Sequence, residues 1–103
     1  MRDAIAAATR ANLSIFPVDA RGLDNLSVTN GHLGLRAMAT STGGEAVLRT
    51  NDLAGGFERI VRDVSSYYAM AYLVPSTYPS GTAHRVTVRG NRPDVEVRTR
   101  NGY

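Results

Sequence analysis

The sequence predicts an α/β fold in which helices and strands alternate over the first two thirds of the chain and further strands follow in the last third. Three observations indicate this. Apolar residues recur at helical spacing in three segments, short β-branched or aromatic runs lie between or after them, and apolar and polar residues alternate from residue 84 onward. Strands that alternate with helices pair in parallel through right-handed crossovers, so we expect a parallel sheet followed by an antiparallel extension.

The first two predicted helices are residues 2–12 and 33–42. The first is rich in alanine, the residue with the highest helix propensity. In the second, apolar residues recur at i, i+3 and i+4. Gly43 and Gly44 follow it directly, a pattern typical of a left-handed helix C-cap. We therefore expect a loop over residues 20–32, followed by this helix, which ends at residue 42.

The third predicted helix opens at Thr50, Asn51 and Asp52. Thr50 or Asn51 can cap its first turn, and Asp52 suits the positive end of the helix dipole. An apolar stripe at helical spacing follows, and we expect Phe57, Ile60, Val61 and Val64 of this stripe to be buried against the sheet. Its members are Leu53, Phe57, Ile60, Val61 and Val64. Gly55 and Gly56 each cost about 1 kcal/mol relative to alanine inside a helix, so we expect them to allow close approach to a neighbouring element.

Five short runs are predicted to be strands. They are residues 13–18, 45–49, 67–75, 84–90 and 94–100. Val86 and Val88 share one face of the fourth run, and Val95 and Val97 are expected to point inward from the fifth. Pro17 has no N–H, which limits pairing in the first run. The pattern divides the chain into an α/β part, residues 1–66, and a strand and hairpin extension, residues 67–103, packed on it.

The composition fits one small globular domain. The chain has 103 residues, of which 43% are hydrophobic and 20% charged, so it can form a single core. It has no cysteine, which excludes disulfides, thiolate metal sites and cysteine nucleophiles. No apolar run reaches the ~20 residues of a membrane span, and the N-terminus lacks the apolar core of a signal peptide. We therefore expect no membrane partner. The composition does not predict the cellular compartment.

Three segments together resemble a known family. They read "DAIAAATRANLSIFPVDARGL" from residue 3, "TGGEAVLRTNDLAGGFERIVRDVSSYYAMAYLVPS" from residue 42 and "HRVTVRGNRPDVEVRTRNGY" from residue 84. This combination is similar to the C-terminal part of a von Willebrand factor A (vWA) type domain, in the vWA-related variety found in Acidobacteria. The resemblance implies part of a doubly wound, Rossmann-like sheet with a C-terminal antiparallel β extension. It also implies a bacterial, non-enzymatic domain that binds a protein ligand, in a full-length protein outside the cytoplasm.

The metal-binding motif of that family is not found in this chain. The family pattern is Asp-x-Ser-x-Ser after the first strand of the domain, and the nearest match here is Asp63-x-Ser65-x-Tyr67. Tyr67 replaces the last serine, and the match lies at a predicted helix end. No metal ligand is therefore carried over, and we expect no cofactor. The chain resembles the last core strands of the domain without the half that carries the metal site.

Asp19 and Arg21 are the candidate ligand-binding residues. They follow the predicted strand 13–18, and open α/β sheets bind ligands at the carboxyl ends of their strands. The alternative is a simple exit from the strand, in which Asp19 accepts local backbone hydrogen bonds and pairs with Arg21. We consider the second interpretation the more common outcome for such a pair.

No set of residues predicts an enzyme. His32 and His84 are the only histidines, have no partner at metal-ligand spacing, and are expected to be exposed or near strand ends. Ser65 and Ser66 lack the glycines of a nucleophile elbow. The Gly43-Gly44 pair is not followed by the lysine of a phosphate loop, since all 12 basic residues are arginine.

The C-terminal hairpin offers an alternative function, that of a basic module binding nucleic acid or another polyanion. It carries Arg85, Arg89, Arg92, Arg98 and Arg100. Only Asp94 and Glu96 oppose them, so residues 84–103 contribute +3, equal to the formal charge of the whole chain. No aromatic residues alternate with the arginines as a stacking platform requires, so we favour arginines that protect a sheet edge and regard nucleic acid as the less favoured partner.

The predicted sheet also suggests self-association. Residues 13–18 are apolar enough for a strand buried on both faces, yet the strands that would cover one of its edges are missing from the pattern. Since long apolar edges recruit other chains, we expect a homo-oligomer through this open sheet edge, or a marginally stable chain.

Overall fold

Three helices form the regular part of the molecule. The computed structural model describes residues 1–23, 29–75, 77 and 84–102. In this part of the chain the helices are α1, Arg2–Arg10, α2, Thr29–Thr42, and α3, Leu53–Ser65. All three predicted helices are confirmed, although α1 ends at Arg10 and not at residue 12, and α2 begins four residues earlier than residue 33. The predicted loop over residues 20–32 is therefore shorter, and its residues 24–28 lie outside the described residues.

Helices α1 and α2 end in the same way. After α1, Asn12 has a left-handed φ of 57°, and the Leu13 N–H donates to the Ala8 carbonyl at 2.8 Å. After α2, Gly43 has a φ of 76°, and the Gly44 N–H donates to the Ala39 carbonyl at 2.9 Å. These bonds define the Schellman motif, which satisfies the last carbonyls of a helix. The predicted left-handed cap at Gly43 is confirmed.

Helix α3 begins at a side-chain cap. The Asp52 carboxylate accepts a hydrogen bond from the Gly55 N–H at 2.9 Å, so Asp52 is the N-cap, not Thr50 or Asn51. Thr50 supports this turn, because its hydroxyl accepts from the Asp52 N–H at 3.0 Å. A carboxylate at this position also suits the positive end of the helix dipole.

The buried centre of the molecule lies where the backbones following α1 and α2 meet α3. We call this centre, formed by Ala39, Thr42, Val47 and Gly56, the core junction. Val47 is 2% exposed and Thr42 is fully buried. The Thr42 hydroxyl accepts from the Ile15 N–H at 3.0 Å and donates to the Met38 carbonyl at 2.9 Å.

Gly56 brings α3 onto this centre. A Cβ at Gly56 would lie 2.6 Å from the nearer Val47 methyl carbon, which is closer than side chains pack. The expectation that the glycine pair permits close approach is therefore confirmed for Gly56. Gly55 serves the cap instead, because a Cβ there would meet the Asp52 carboxylate.

The predicted α/β sheet is wrong. The described residues contain no β-strand or sheet, and therefore no doubly wound, Rossmann-like vWA sheet. Residues 13–18 and 45–49 meet only in an isolated parallel bridge between Val18 and Val47, made by two hydrogen bonds of 2.8 and 2.9 Å. Left-handed backbone lies on both sides of Val47, at Gly43 and at Arg49, whose φ is 53°. The extended conformation that a longer ladder needs is interrupted there.

The predicted antiparallel β extension is also wrong as a sheet. The chain reverses near residues 91–94, as the hairpin pattern predicts. In the described part of this hairpin, however, the two arms pair at a single bridge, between Arg85 and Gly102, and form no ladder. Val95 and Val97, expected on an inward face, are 47% and 39% exposed. The side chains of Arg98 and Arg100 bond to the helical part instead.

Few parts of the molecule pack tightly. The radius of gyration is 15.8 Å, whereas a compact domain of this length is expected near about 13 Å. Because the described chain has no sheet, residues 13–18 do not form the open sheet edge from which self-association was inferred. None of the helices in the described part is long and apolar enough to cross a bilayer.

Candidate functional site

The predicted ligand pair, Asp19 and Arg21, belongs to a cluster of polar side chains that hydrogen-bond to one another. Asp19 is 7% exposed and follows the Val18–Val47 bridge. Its Oδ1 accepts from the Arg21 backbone N–H at 3.1 Å and from Arg21 Nε at 2.7 Å. Its Oδ2 contacts Arg21 Nη2 at 2.7 Å. The pair therefore adopts the bidentate geometry that guanidinium and carboxylate favour.

His32 completes this Asp19 cluster, which we define as Asp19, Arg21 and His32. Its Nε2 lies 2.6 Å from Asp19 Oδ2, and its side chain is only 12% exposed. The expectation that His32 is exposed or near a strand end was therefore wrong. His32 lies in the first turn of α2, which begins earlier than the pattern predicted. Nothing in the spacing between Asp19 and His32 could have revealed this contact, because it depends on how the intervening loop folds.

The electrostatics of the cluster favour the ionised carboxylate. The hydrogen bond from the Arg21 side chain, followed by the one from His32, holds the pKa of Asp19 far below its usual range. The Asp19 hydrogen bond in turn raises the pKa of Arg21. Four donors contact the two carboxylate oxygens, so the cluster ties the chain after Val18 to α2. Arg21 is the half of the predicted pair that still reaches solvent, with its side chain 52% exposed.

The arginines of the C-terminal hairpin are largely engaged within the chain. Arg98 Nη1 donates to Glu45 at 2.7 Å, and its Nη2 donates to Asp63 of α3. Partial burial opposes the charge of Arg98, but the hydrogen bond to Glu45 and the charge of Asp63 outweigh it, so the pKa of Arg98 lies above its usual value. Arg98 therefore joins the hairpin to two parts of the helical region.

Two more of these arginines make internal contacts. Arg100 donates to the Thr42 carbonyl at 3.2 Å and to the Asn12 side chain. Arg92 pairs with Asp94 at 3.0 Å on the surface. Arg85 borders a shallow cleft of about 360 Å³ between the two arms of the hairpin. Of the five arginines named in the polyanion interpretation, Arg98 and Arg100 therefore donate to the helical region, and the interpretation itself stays a prediction.

The apolar stripe of α3 divides into two faces. Leu53 and Ile60 are half-buried on the side where Gly56 meets Val47. The three other members of the stripe were expected to be buried, but they are exposed on the other side of the helix, which we call the apolar face. It comprises Phe57, Val61 and Val64, which are 54%, 59% and 51% exposed. The prediction that these three side chains are buried against a sheet was therefore wrong, because the side of α3 that carries Gly56 packs against Val47 instead.

The chain that follows α3 is more exposed still. Ser66 leaves the helix in extended backbone, with φ −146° and ψ 108°. We call residues 67–74 the extended segment. No strand or bridge among the described residues includes it, so the predicted strand 67–75 was wrong. Its exposed apolar residues are Tyr67 at 77%, Tyr68 at 97%, Met70 at 73%, Tyr72 at 61%, Leu73 at 97% and Val74 at 42%.

Other candidate chemistry is not assembled in the described residues. No group of three or more His, Cys, Asp or Glu side chains there could hold a metal ion. Ser65 ends α3, and its hydroxyl donates back to the Val61 carbonyl at 2.6 Å. His84 is half-buried next to the Arg85–Gly102 bridge. The largest unexplained feature is therefore the apolar surface formed by the apolar face and the extended segment.

Comparison with known proteins does not assign a family. No protein-family model, no curated protein and no solved structure matches this chain.

Proposed function

We propose that the chain is a non-enzymatic protein-interaction module that binds a protein partner through the apolar face of α3. The observation that carries this proposal is the exposure of Phe57, Val61 and Val64 at spacings of four and three residues. This spacing places them along one side of a helix. Contiguous exposed apolar side chains on a folded element mark interaction sites.

The position of α3 supports this proposal. Residues of α3 outside the apolar face fix the helix to the rest of the chain, because Gly56 packs on Val47 and Arg98 pairs with Asp63. Its first turn is fixed by the Asp52 cap. A partner would therefore meet a helix face that is ordered before binding, which lowers the entropic cost of association.

The resemblance to the C-terminal part of a vWA-type domain points to the same class of function. That resemblance implies protein binding without catalysis, and this chain carries no match to the family's metal motif. We therefore propose a contact that uses apolar area and not a metal-bridged carboxylate. The partner would present an apolar groove for three side chains of one helix, the helix-in-groove mode of recognition.

The test is site-specific photo-crosslinking in the cells that express the chain. A photoreactive benzoylphenylalanine replaces Phe57 in one variant and Arg59 in a matched variant. Arg59 is exposed and lies on the opposite side of α3 from Val61. We expect a discrete protein adduct from position 57 that is at least fivefold stronger than any adduct from position 59. Equal labelling from both positions, or no adduct from position 57, would contradict the proposal.

A further inference from the structure

The extended segment is a second exposed apolar surface. It follows α3 after Ser66, whose backbone is extended, its residues belong to no helix or strand, and its large side chains point largely into solvent. Residues 67–74 contain no charged residue, no glycine and no proline. Such a run has the composition of a strand that pairs with another strand.

The order of the residues in this segment is symmetric. Residues 68–72 read Tyr-Ala-Met-Ala-Tyr in both directions, with Met70 at the centre. Tyr67 and Leu73 flank them at equal distances from Met70. An antiparallel pair of identical strands places residue i opposite residue j of the other copy, so a symmetric sequence is complementary to itself.

We propose that two copies of the chain associate by antiparallel pairing of their extended segments, with Met70 on the two-fold axis. Tyr68 then lies opposite Tyr72 of the second copy, and Ala69 lies opposite Ala71 of the second copy. Directly opposite aromatic residues stabilise an antiparallel pair, whereas like charges would destabilise it, and this segment has none. The association uses a surface different from the apolar face of α3, and it goes beyond the proposed function.

The two faces of the paired strands differ in the size of the side chains that they carry. Successive residues of a strand point to opposite sides, so Tyr68, Met70 and Tyr72 share one face. The other face has Ala69 and Ala71 at its centre, between Tyr67 and Leu73. A two-fold pairing keeps like faces on the same side, and it is isologous, so each copy uses the same edge and that edge is fully occupied in the dimer.

The segment exposes apolar area that a second copy can cover in part. A buried aromatic side chain covers about 150–250 Å², so the exposed parts of the three tyrosines supply on the order of 450 Å². Met70 and Leu73, 73% and 97% exposed, add to this. Edge pairing covers the backbone and the flanks of these side chains, so each copy contributes less than the ~800 Å² of a standard interface. The dimer is therefore expected to depend on concentration.

The absence of cysteine allows a direct test of the register. Met70→Cys creates a single thiol that meets its own copy across the axis, where directly opposite Cα atoms lie about 4.5–5.5 Å apart. This separation permits a disulfide. The matched control is Ser66→Cys, four residues away. Ser66 would lie opposite Val74 of the second copy, so the two Ser66 positions would be roughly 27 Å apart at ~3.4 Å per residue.

We expect Met70→Cys to form a disulfide-linked dimer under mild oxidation at least tenfold faster than Ser66→Cys. Sedimentation equilibrium of the unmodified chain should give the mass of two copies. Met70→Lys, which places two ammonium groups opposite each other, should give the mass of one copy. Thr87→Lys, an exposed position outside the segment, should leave the dimer intact.

Each other outcome overturns the inference in a distinct way. A chain that stays monomeric at high concentration contradicts the association itself. A dimer in which Ser66→Cys cross-links as fast as Met70→Cys contradicts the register. A mass that grows beyond two copies contradicts the closed pairing, and so does a dimer that survives Met70→Lys. None of these results decides the photo-crosslinking at position 57, so the two proposals fail independently.

Discussion

The core junction and the extended segment differ in the size of the residues that each one carries. At the core junction the chain is covered, and the residues there are alanine, threonine, valine and glycine. In the extended segment the residues are large, and Tyr68 and Leu73 are both 97% exposed. Among the described residues, no apolar side chain larger than valine is buried. The buried apolar residues of the described part are therefore small ones, and the large apolar residues are exposed or half-buried.

The cause of this difference is close backbone packing. Gly44 lies against the backbone of Ile15, and Gly56 lies against the side chain of Val47. These approaches leave little space for a large side chain between the elements, so the large apolar residues remain outside. Because exposed apolar area is costly in water, the same residues supply the free energy for association with a partner.

Gly44→Ala is expected to have the largest effect on the core junction. A Cβ at this position would overlap the backbone carbonyl of Ile15, which cannot rotate away as a side chain could. We expect a loss of about 3 kcal/mol in the free energy of unfolding, measured in denaturant melts.

The matched control for Gly44→Ala is Gly34→Ala in α2. There the new Cβ would lie 3.6 Å from the Met1 sulfur, an ordinary contact. Since alanine favours helix over glycine, this variant should gain up to about 1 kcal/mol. Equal effects of the two substitutions would mean that the junction is loosely packed.

Acid should destabilise the folded chain through the Asp19 cluster. Hydrogen bonds from Arg21 and then His32 lower the pKa of Asp19 in the folded chain, so the unfolded chain binds more protons in acid. This contribution to stability is complete above the unfolded pKa of about 3.9 and is lost as the pH falls below it. The melting temperature should therefore drop between about pH 4 and pH 2, and the drop should be smaller in Asp19→Asn. Asp94→Asn, at an exposed pair, should keep the full drop; the same slope in both variants would rule out this role of Asp19.

Arg98→Gln should give the smallest change in stability. Its side chain is 40% exposed, so solvent screens its bonds to Glu45 and Asp63, and we expect a cost of at most about 1 kcal/mol. Its main effect should be local, with faster amide hydrogen exchange in residues 95–101. The control is Arg92→Gln, which removes only a surface pair. If exchange rises equally in both variants, Arg98 does not anchor the hairpin.

The helices were predictable from the sequence because their signals are local. The alanine-rich run, the Gly43 cap and the stripe that begins at Leu53 each depend on residues within a few positions of each other. The strands were not predictable from their own residues. A strand forms only when a partner accepts its hydrogen bonds, and Val18 and Val47 find each other at a single bridge.

The candidate site shows the same division. The pairing of Asp19 with Arg21 is local, and the strand-exit interpretation anticipated it. The contacts from His32 to Asp19 and from Arg98 to Asp63 join residues distant in sequence, and no spacing signals them. The stripe of α3 was recognised correctly as apolar, but its hydrophobicity does not specify which edge is buried. The position of Gly56 against Val47 determines that.

The most direct test of the account compares Val47→Ala with Phe57→Ala. Val47 is 2% exposed at the core junction, whereas Phe57 is 54% exposed on the apolar face. We expect Val47→Ala to cost about 2–3 kcal/mol in the free energy of unfolding, measured by denaturant melts at a concentration where the chain is monomeric. Phe57→Ala should cost at most about 1 kcal/mol, although it removes more apolar atoms. A larger loss for Phe57→Ala than for Val47→Ala would contradict the claim that large apolar residues lie outside the core and face a partner.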